Sequence, residues 1–461
     1  MGNAFAENSN AASRSNTTSQ ILPVPNATTP YWRTELHAID EHRSTPDLPS
    51  SCDIAIIGAG MSGVATAYHI VQAARDANKQ IPSIAILEAR QVCSGATGRN
   101  GGHSKIKATT AMEQIRSAPI EMLKEVWEHV REQPYALKKV VEAEGLECEF
   151  ELRRTIDAIL REEDAGEKKR EFLECLEKGY RWTRDTSMVE EKNAEQITSL
   201  HNAKLAFTGL ACSFWPYKLV SQLLSRLVSR NHVNLQTNTP VTAVTESPEG
   251  LNILHTARGL LKAKKVVFAT NAYSAGILPS YEGKIVPTRA TATHITPKKP
   301  ISPHLSHTYN INHAVPSTGP ERCDYLNPRP DGSIVVGGAQ WTYSKDRSKW
   351  YNIWDDSSII DEARPYFEGY MQRYFKGWED SGAELDSIWT GIIGTTADGR
   401  PHIGEVPGSK GRRYIIAGFN GGGMAIILTS TKGLARMIVE GVSFEEVGLP
   451  RLFKTTEERL R

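Results

Sequence analysis

The chain lacks most of what would place it anywhere but in water. No stretch of its 461 residues reaches the ~18 consecutive apolar residues of a membrane helix, so no membrane partner is expected. The N-terminus lacks the apolar core of a secretory signal, and a cytoplasmic location is expected. Met1-Gly2 opens like a myristoylation signal, but Ala6 stands where Ser or Thr is required. Net charge is close to absent, with 54 Lys plus Arg against 53 Asp plus Glu, so no overall field favours nucleic acid. Cysteine is sparse and scattered (Cys52, Cys93, Cys148, Cys175, Cys212, Cys323). No C-x-x-C spacing or companion histidines mark a zinc site, so no metal is expected and the thiols read as free in a reducing compartment. The Asn-x-Thr sequons at Asn16 and Asn26 read as chance occurrences in a polar tail.

What is present is concentrated between Ser51 and Arg90. Asp53 to Ile57 is the apolar run of a buried parallel strand, and it leads directly into Gly58-Ala59-Gly60-Met61-Ser62-Gly63. In this G-x-G-x-x-G, Gly58 permits the turn off the strand, Gly60 the approach of a pyrophosphate, and Gly63 close packing of the next helix. That helix, from about Met61 to Asn78, presents free N–H groups to the phosphate. A second apolar run, Ile84 to Leu87, ends in Glu88, 25 residues after Gly63, where a carboxylate accepts hydrogen bonds from adenosine ribose hydroxyls. Ala89 and Arg90 continue from it into a glycine-rich loop, Ser94 to Gly102, whose backbone is free to approach a ligand.

The flanks read as follows. Residues 1–29 have little to bury and are expected to be a disordered tail, and 30–50, with Tyr31 and Trp32, a segment docked on the domain surface. Residues 112 to 144 and 161 to 200 are charged and helical, separated by a strand-like run at 149–159. A helix opens at Trp215-Pro216, and Val233 to Val244 alternates as a strand. Lys265 to Asn271 is a buried strand ending in small polar residues, and Asp331-Gly332 is a hairpin signal between strand-like runs. Near the end, Asp398-Gly399-Arg400-Pro401-His402-Ile403-Gly404 precedes a strand at 414–417. The turn Gly418-Phe419-Asn420-Gly421-Gly422-Gly423-Met424 and a helix to about Glu440 follow.

In order and spacing, these motifs resemble the D-amino-acid oxidase family of FAD-dependent oxidoreductases over residues 51 to 445. The loop Gly95-Ala96-Thr97-Gly98-Arg99-Asn100-Gly101-Gly102 looks most like that of the gamma-glutamylputrescine oxidoreductase group and its fungal relatives. The resemblance implies an α/β fold, α+β overall, with a Rossmann-like FAD-binding domain on a parallel sheet (51–110, 205–275, 386–445). An interleaved substrate domain (111–204, 276–385) would carry a mostly antiparallel sheet and helices, with 446–461 as a C-terminal tail. It further implies an enzyme that oxidises a carbon–nitrogen bond of a small-molecule amine, with molecular oxygen or another acceptor taking the electrons.

By the same resemblance, FAD is contacted by Gly58 to Gly63, Glu88, Ala89, Arg90, Ser94, Gly95, Ala96, Thr97, Arg99, Asn100, Gly101 and Gly102. Further on, Val241 would cover the adenine, with Ala269, Thr270, Asn271, Gly391 and Asp398 nearby. Gly421, Gly422, Gly423 and Met424 would lie beside the flavin pyrimidine, where a helix starting near Gly422 supplies positive potential. FAD is expected to be non-covalent, because the tethering positions of relatives correspond to Gly391 and Arg99. Two lysines of sarcosine-oxidase relatives are missing: the oxygen-activating one corresponds to Val335 and the carboxylate-binding one to Ala425. His103, Tyr325 and Trp389 are the candidates to line the substrate pocket and support catalysis.

Two other readings stay open. An NAD-dependent dehydrogenase would share the opening motif but complete its sheet without interruption, and a flavin-binding protein without turnover would keep only the cofactor site. A reductase fed by a nicotinamide is excluded, since no second G-x-G-x-x-G and no C-x-x-x-x-C occurs.

Overall fold

The computed structural model describes residues 20–316 and 320–461. The Asn16 sequon, Met1-Gly2 and Ala6, and the disorder expected of residues 1–19, lie outside the described residues. The apolar runs read from the sequence become the centre of a parallel sheet. Its strands run in the order Arg413–Ala417, Gly259–Phe268, Ser51–Ile57, Ile84–Leu87 and Val233–Gln236. His402–Glu405 adds antiparallel at one edge, and the ribbon of Ala243–Glu246 and Asn252–Thr256 joins Gly259–Phe268. The alternating stretch 233–244 is thus two strands rather than one. The helix Met61–Asp76 lies against the closing helix Ile427–Glu440, and buries Val64, Ala65, Ala67, Ile70, Val71 and Ala74.

The second sheet runs in the order Glu384–Thr395, Val286–Thr296, Ile334–Gly338, Arg322–Pro328, Thr308–Ala314, Glu151–Ile159, Leu205–Ser213 and His103–Lys105, with Ser187–Glu190 also on Leu205–Ser213. Its pairings are antiparallel except for the one between Thr308–Ala314 and Glu151–Ile159. Strands 103–105 and 205–213, and all but the first two residues of 384–395, fall within the segments expected for the nucleotide-binding domain, yet pair in this second sheet. Apolar alternation identifies a strand but not its partner, and here long-range pairing decides. The Asp331-Gly332 hairpin forms as expected, with Gly332 at φ +88° between two paired strands.

The register places Trp389, Ala292, Gly337, Tyr325, Asn310, Asp157 and Phe207 in one row across the sheet, all on one face. The opposite face is apolar: Ile156, Ala158, Tyr309, Leu326, Ile334 and Val336 are covered by Phe367, Tyr370, Phe375 and Trp378. From His103–Lys105 to the strand of Tyr325 there are four strand spacings, which would span roughly 19 Å on a flat sheet. Yet the His103 and Tyr325 rings meet edge to face with centroids 5.6 Å apart. The sheet therefore curls on itself, and the row of side chains faces an enclosed interior.

The two ends of the chain also depart from expectation. Residues 20–29 are not free: the Gln20 amide donates to the Thr242 carbonyl (2.6 Å), and Thr28 N–H donates to the Asp356 carbonyl (2.8 Å). Trp32 is fully buried, beneath the Arg329 guanidinium at 4.8 Å. Residues 446–461 form short turns instead of a tail, with Phe453 buried, Thr455 N–H donating to the Ile403 carbonyl (3.0 Å) and Arg459 paired with Asp398.

Because Trp32 donates to the Asn100 carbonyl and accepts at its own carbonyl from Trp215 (2.6 Å), it links the N-terminal segment to the second glycine loop. Trp32→Ala is expected to cost about 3–5 kcal/mol, as for other large core truncations. The check is a urea titration, in which the midpoint falls; an unchanged midpoint would deny Trp32 this role.

Candidate functional site

The first loop is built where backbone meets backbone. Gly58 has φ +109°, and a Cβ there would lie 2.7 Å from the Ala269 carbonyl oxygen. A Cβ on Gly63 would sit 1.9 Å from the Gly58 oxygen, so only glycine lets the helix start this close to the strand. The N-cap Gly60 offers no side-chain acceptor, which leaves first-turn N–H groups for an anion. Met61 N–H donates to Thr97 Oγ1 (3.0 Å), so the second glycine loop touches the helix start. Glu88 is held by two backbone donors, Ala59 N–H to Oε2 (2.8 Å) and Arg90 N–H to Oε1 (2.9 Å), and each oxygen keeps a lone pair.

The second loop is held from both domains. Gly102 N–H donates to Asn100 Oδ1 (2.7 Å), and the Asn327 amide donates to the Gly101 and Gly102 carbonyls (2.9 and 3.0 Å). Trp389 Nε1 donates to the Arg99 carbonyl (2.9 Å), and a Cβ on Gly391 would lie 3.5 Å from Arg99 Cβ. Arg99 is buried and donates to the Ser94 and Thr390 carbonyls (both 2.8 Å) and to Thr28 Oγ1 (3.0 Å). Arg90 pairs with buried Asp356 at 2.9 Å, and Arg99 approaches the same carboxylate at 3.4 Å. Both guanidiniums are thus committed to binding the domains together, a use the sequence did not reveal. Burial brings Arg99 down to about 10. Among the polar atoms of this region buried without a protein partner are Ser94 Oγ, Arg90 Nε, Tyr273 Oη and His103 Nδ1. Each unmet polar atom costs about 1–3 kcal/mol, so the path is built for a polar ligand.

Asn271, at φ 41°, accepts from Gly418 N–H (3.0 Å) and Phe419 N–H (3.3 Å), tying the strand end Ala269-Thr270-Asn271 to the closing turn. Val241 is buried in the apolar cluster that includes Leu87. The helix expected to start near Gly422 starts at Ile427 instead. Gly423–Ala425 forms a 3-10 turn and Ile426 is non-helical at φ −143°, ψ −16°, so the helix N-terminus lies some residues beyond Gly421, Gly422 and Gly423. Gln133 holds this turn, donating to the Met424 carbonyl (3.0 Å) and accepting from Thr429 N–H (2.9 Å). His129, brought down to about 4 by burial, sits neutral against Thr429 and Ser430. Asp398 is engaged elsewhere, by Arg459 at 2.9 Å, which keeps its carboxyl below the usual range although burial opposes this.

The curl brings His103 and Tyr325 together and places Gly101 between them; a Cβ there would lie 2.7 Å from His103 and 2.8 Å from Tyr325. Both side chains are deep in the protein yet keep some accessible surface, as do Lys105, Lys107 and Cys323. Surface kept at such depth implies a space inside the protein. Burial depresses His103 well below the usual imidazole range and raises the Tyr325 phenol, so both are neutral. Trp389 shares the face but is separated from Tyr325 by Ala292 and Gly337, and its indole N–H serves the loop. Val335 is fully buried on this same face, with no lysine there. Sequence reasoning missed Lys105, Asn310 and Asn327; the alternation His103, Lys105, Lys107 was the available signal for the first.

Comparison with known proteins agrees with the fold. The family described as DAO, FAD dependent oxidoreductase, matches residues 53–437. The sarcosine oxidase subunit beta of Rhodobacter capsulatus is 22% identical over 428 residues, covering 88% of this chain and 90% of that protein. The crystal structure of glycine oxidase from Geobacillus kaustophilus aligns with a TM-score of 0.66 at 18% identity, over 86% of this chain and 96% of that one. L-proline dehydrogenase from P. horikoshii aligns with a TM-score of 0.65 at 19% identity, over 86% and 95%.

A Cβ on Gly60 would already lie 3.1 Å from Thr97 Oγ1, and a branched side chain has no room beside it. Gly60→Val is expected to leave the purified protein without its dinucleotide. The ratio of visible to ultraviolet absorbance measures this, and a full cofactor complement would refute the placement of the pyrophosphate.

Proposed function

This chain belongs to the DAO family of FAD-dependent oxidoreductases, and on that premise we propose that it oxidises the carbon–nitrogen bond of an amine or amino-acid-like substrate. The protein is an enzyme that uses FAD, and the residues present fit that cofactor. Gly58 to Gly63 and Glu88 would hold its adenosine diphosphate half, and Thr97, Asn100, Gly101 and Gly102 its flavin half. When bound, FAD accepts a hydride from the carbon next to nitrogen. The resulting imine takes up water and splits into a carbonyl compound and ammonia or a smaller amine.

The observation that carries this reading is the neutral cavity where Gly101, His103 and Tyr325 meet. A substrate amine can give up hydride only as its free base, with its nitrogen lone pair available. Unprotonated His103 accepts a hydrogen bond from an amine N–H without stabilising the ammonium as a carboxylate would. Asp157, the buried acid on this face, is occupied by Thr109 N–H (2.9 Å) and the Asn312 amide (2.6 Å). The chain's task is then positioning and exclusion of water, with little acid–base work.

We hold FAD to be non-covalent, since Gly391 and Arg99 offer no nucleophile and Cys93 is buried with its thiol pushed up. Val335 in place of a lysine favours slow use of oxygen, with another acceptor taking the electrons. Likeness to the gamma-glutamylputrescine oxidoreductase group rests on the Gly95 to Gly102 loop alone. Among the described residues no helix is long and apolar enough to cross a membrane, and the six free cysteines suit a cytoplasmic setting. An NAD-dependent activity is set aside by the family assignment.

Anaerobic mixing with a panel of amines is expected to bleach the flavin absorbance with at least one of them. If none does while FAD is fully bound, the protein is a flavin carrier without turnover.

A further inference from the structure

Residues 20–52 precede the part of the chain that the family matches, yet their side chains close on the second glycine loop. The Thr28 hydroxyl makes all three of the hydrogen bonds open to it. It donates to the Asp356 carbonyl (3.0 Å) and accepts from Arg99 Nη1 (3.0 Å) and Thr390 N–H (3.1 Å). One hydroxyl thus joins the N-terminal segment, the loop and the strand Glu384–Thr395. The Val24 carbonyl accepts from Arg90 (3.0 Å), and Tyr31 stacks on His294 with ring centroids 3.8 Å apart and planes within 10°.

Further along the loop, four consecutive carbonyls each have a side-chain donor. Trp389 Nε1 donates to that of Arg99, Trp32 Nε1 to that of Asn100, and the Asn327 amide to those of Gly101 and Gly102. In a planar trans peptide the carbonyl and the N–H of the next residue point in opposite directions. By fixing the Asn100 carbonyl, Trp32 therefore fixes the direction of the Gly101 N–H. The indole is itself held firmly. It is fully buried, it lies against Gly102, where a Cβ would be 2.5 Å away, and the Arg329 guanidinium covers it at 4.8 Å.

Resting on the reading in which Asn100, Gly101 and Gly102 hold the flavin half, we propose that Trp32 and Thr28 are positioning residues for the flavin. Both act through the loop, and Trp32 keeps the Gly101 N–H as a donor to the ring. The cofactor site then includes a segment that lies outside the matched family region.

Such a donor has a signature that packing lacks. A reduced flavin carries more negative charge than an oxidised one, so a fixed N–H beside it favours the reduced form. Loosening the donor lowers the reduction potential, whereas a purely structural contact changes stability and leaves the potential where it is.

The test uses the FAD-loaded protein. Trp32→Phe keeps an aromatic ring and loses the indole N–H. Its rate of FAD release, followed by the recovery of flavin fluorescence on dilution, is expected to rise about 10-fold, and its reduction potential to fall. Thr28→Val keeps the side-chain shape but leaves Arg99 and the Thr390 N–H without their acceptor, and it should act in the same direction on both. Thr28→Ser, which retains the hydroxyl, should behave as wild type. The Thr28 pair keeps the test valid if Trp32→Phe does not fold. An unchanged potential overturns the proposal, whether or not release is faster, and so does a Thr28→Ser protein that loses FAD as fast as Thr28→Val. A potential that depends on Trp32 in a protein that no amine bleaches would keep the positioning role and discard the amine reading. Bleaching by amines with a potential indifferent to both residues would do the reverse.

Discussion

Backbone packed directly on backbone is the constraint from which the rest of this structure follows. At Gly63 and Gly98 a single added carbon would lie 1.9 and 2.1 Å from a carbonyl oxygen of the chain's own loop. A Cβ on Gly102 would meet the Trp32 ring at 2.5 Å. These contacts tighten each loop on itself, while the Thr97 hydroxyl joins the second loop to the first and the Trp32 ring joins the N-terminal segment to the second. On the proposed reading the dinucleotide would meet mainly main-chain N–H groups, with Glu88, Thr97 and Asn100 the side chains beside them.

The second constraint is electrostatic. Asp356, almost wholly buried, lies between Arg90 and Arg99, which both sit on the loop that follows the strand Ile84–Leu87. Removing the acid would strand two buried guanidiniums, a loss on the order of 3–5 kcal/mol. This cluster, with Thr28 and Trp32, makes the N-terminal segment part of the domain junction. The curl of the second sheet then closes over the same loop from the other side and delivers His103 to Tyr325.

Much of the first sheet was legible in the sequence, because a buried parallel strand leaves a continuous apolar run and the glycine fingerprint has a local cause. The chamber was less legible. Tyr325 and His103 could be nominated by chain position, but their contact depends on a curl that no local pattern encodes. Arg90 and Arg99 sit where cofactor ligands were expected, yet their partner Asp356 is more than 250 residues away in the chain. The start of the closing helix was misplaced for a plainer reason: three glycines permit a helix but do not require one, and the 3-10 turn Gly423–Ala425 with the non-helical Ile426 delays it. Lys105 was overlooked because a charged residue beside a glycine loop ordinarily faces solvent.

The central claim is that the chamber between Gly101, His103 and Tyr325 is where FAD meets its substrate. A crystal structure of the FAD-loaded protein tests it most directly. The account predicts the flavin ring against Gly101 and Gly102, with His103 and Tyr325 at the substrate side. A ring bound away from these residues, with the His103–Tyr325 contact unchanged and remote from it, would contradict the account.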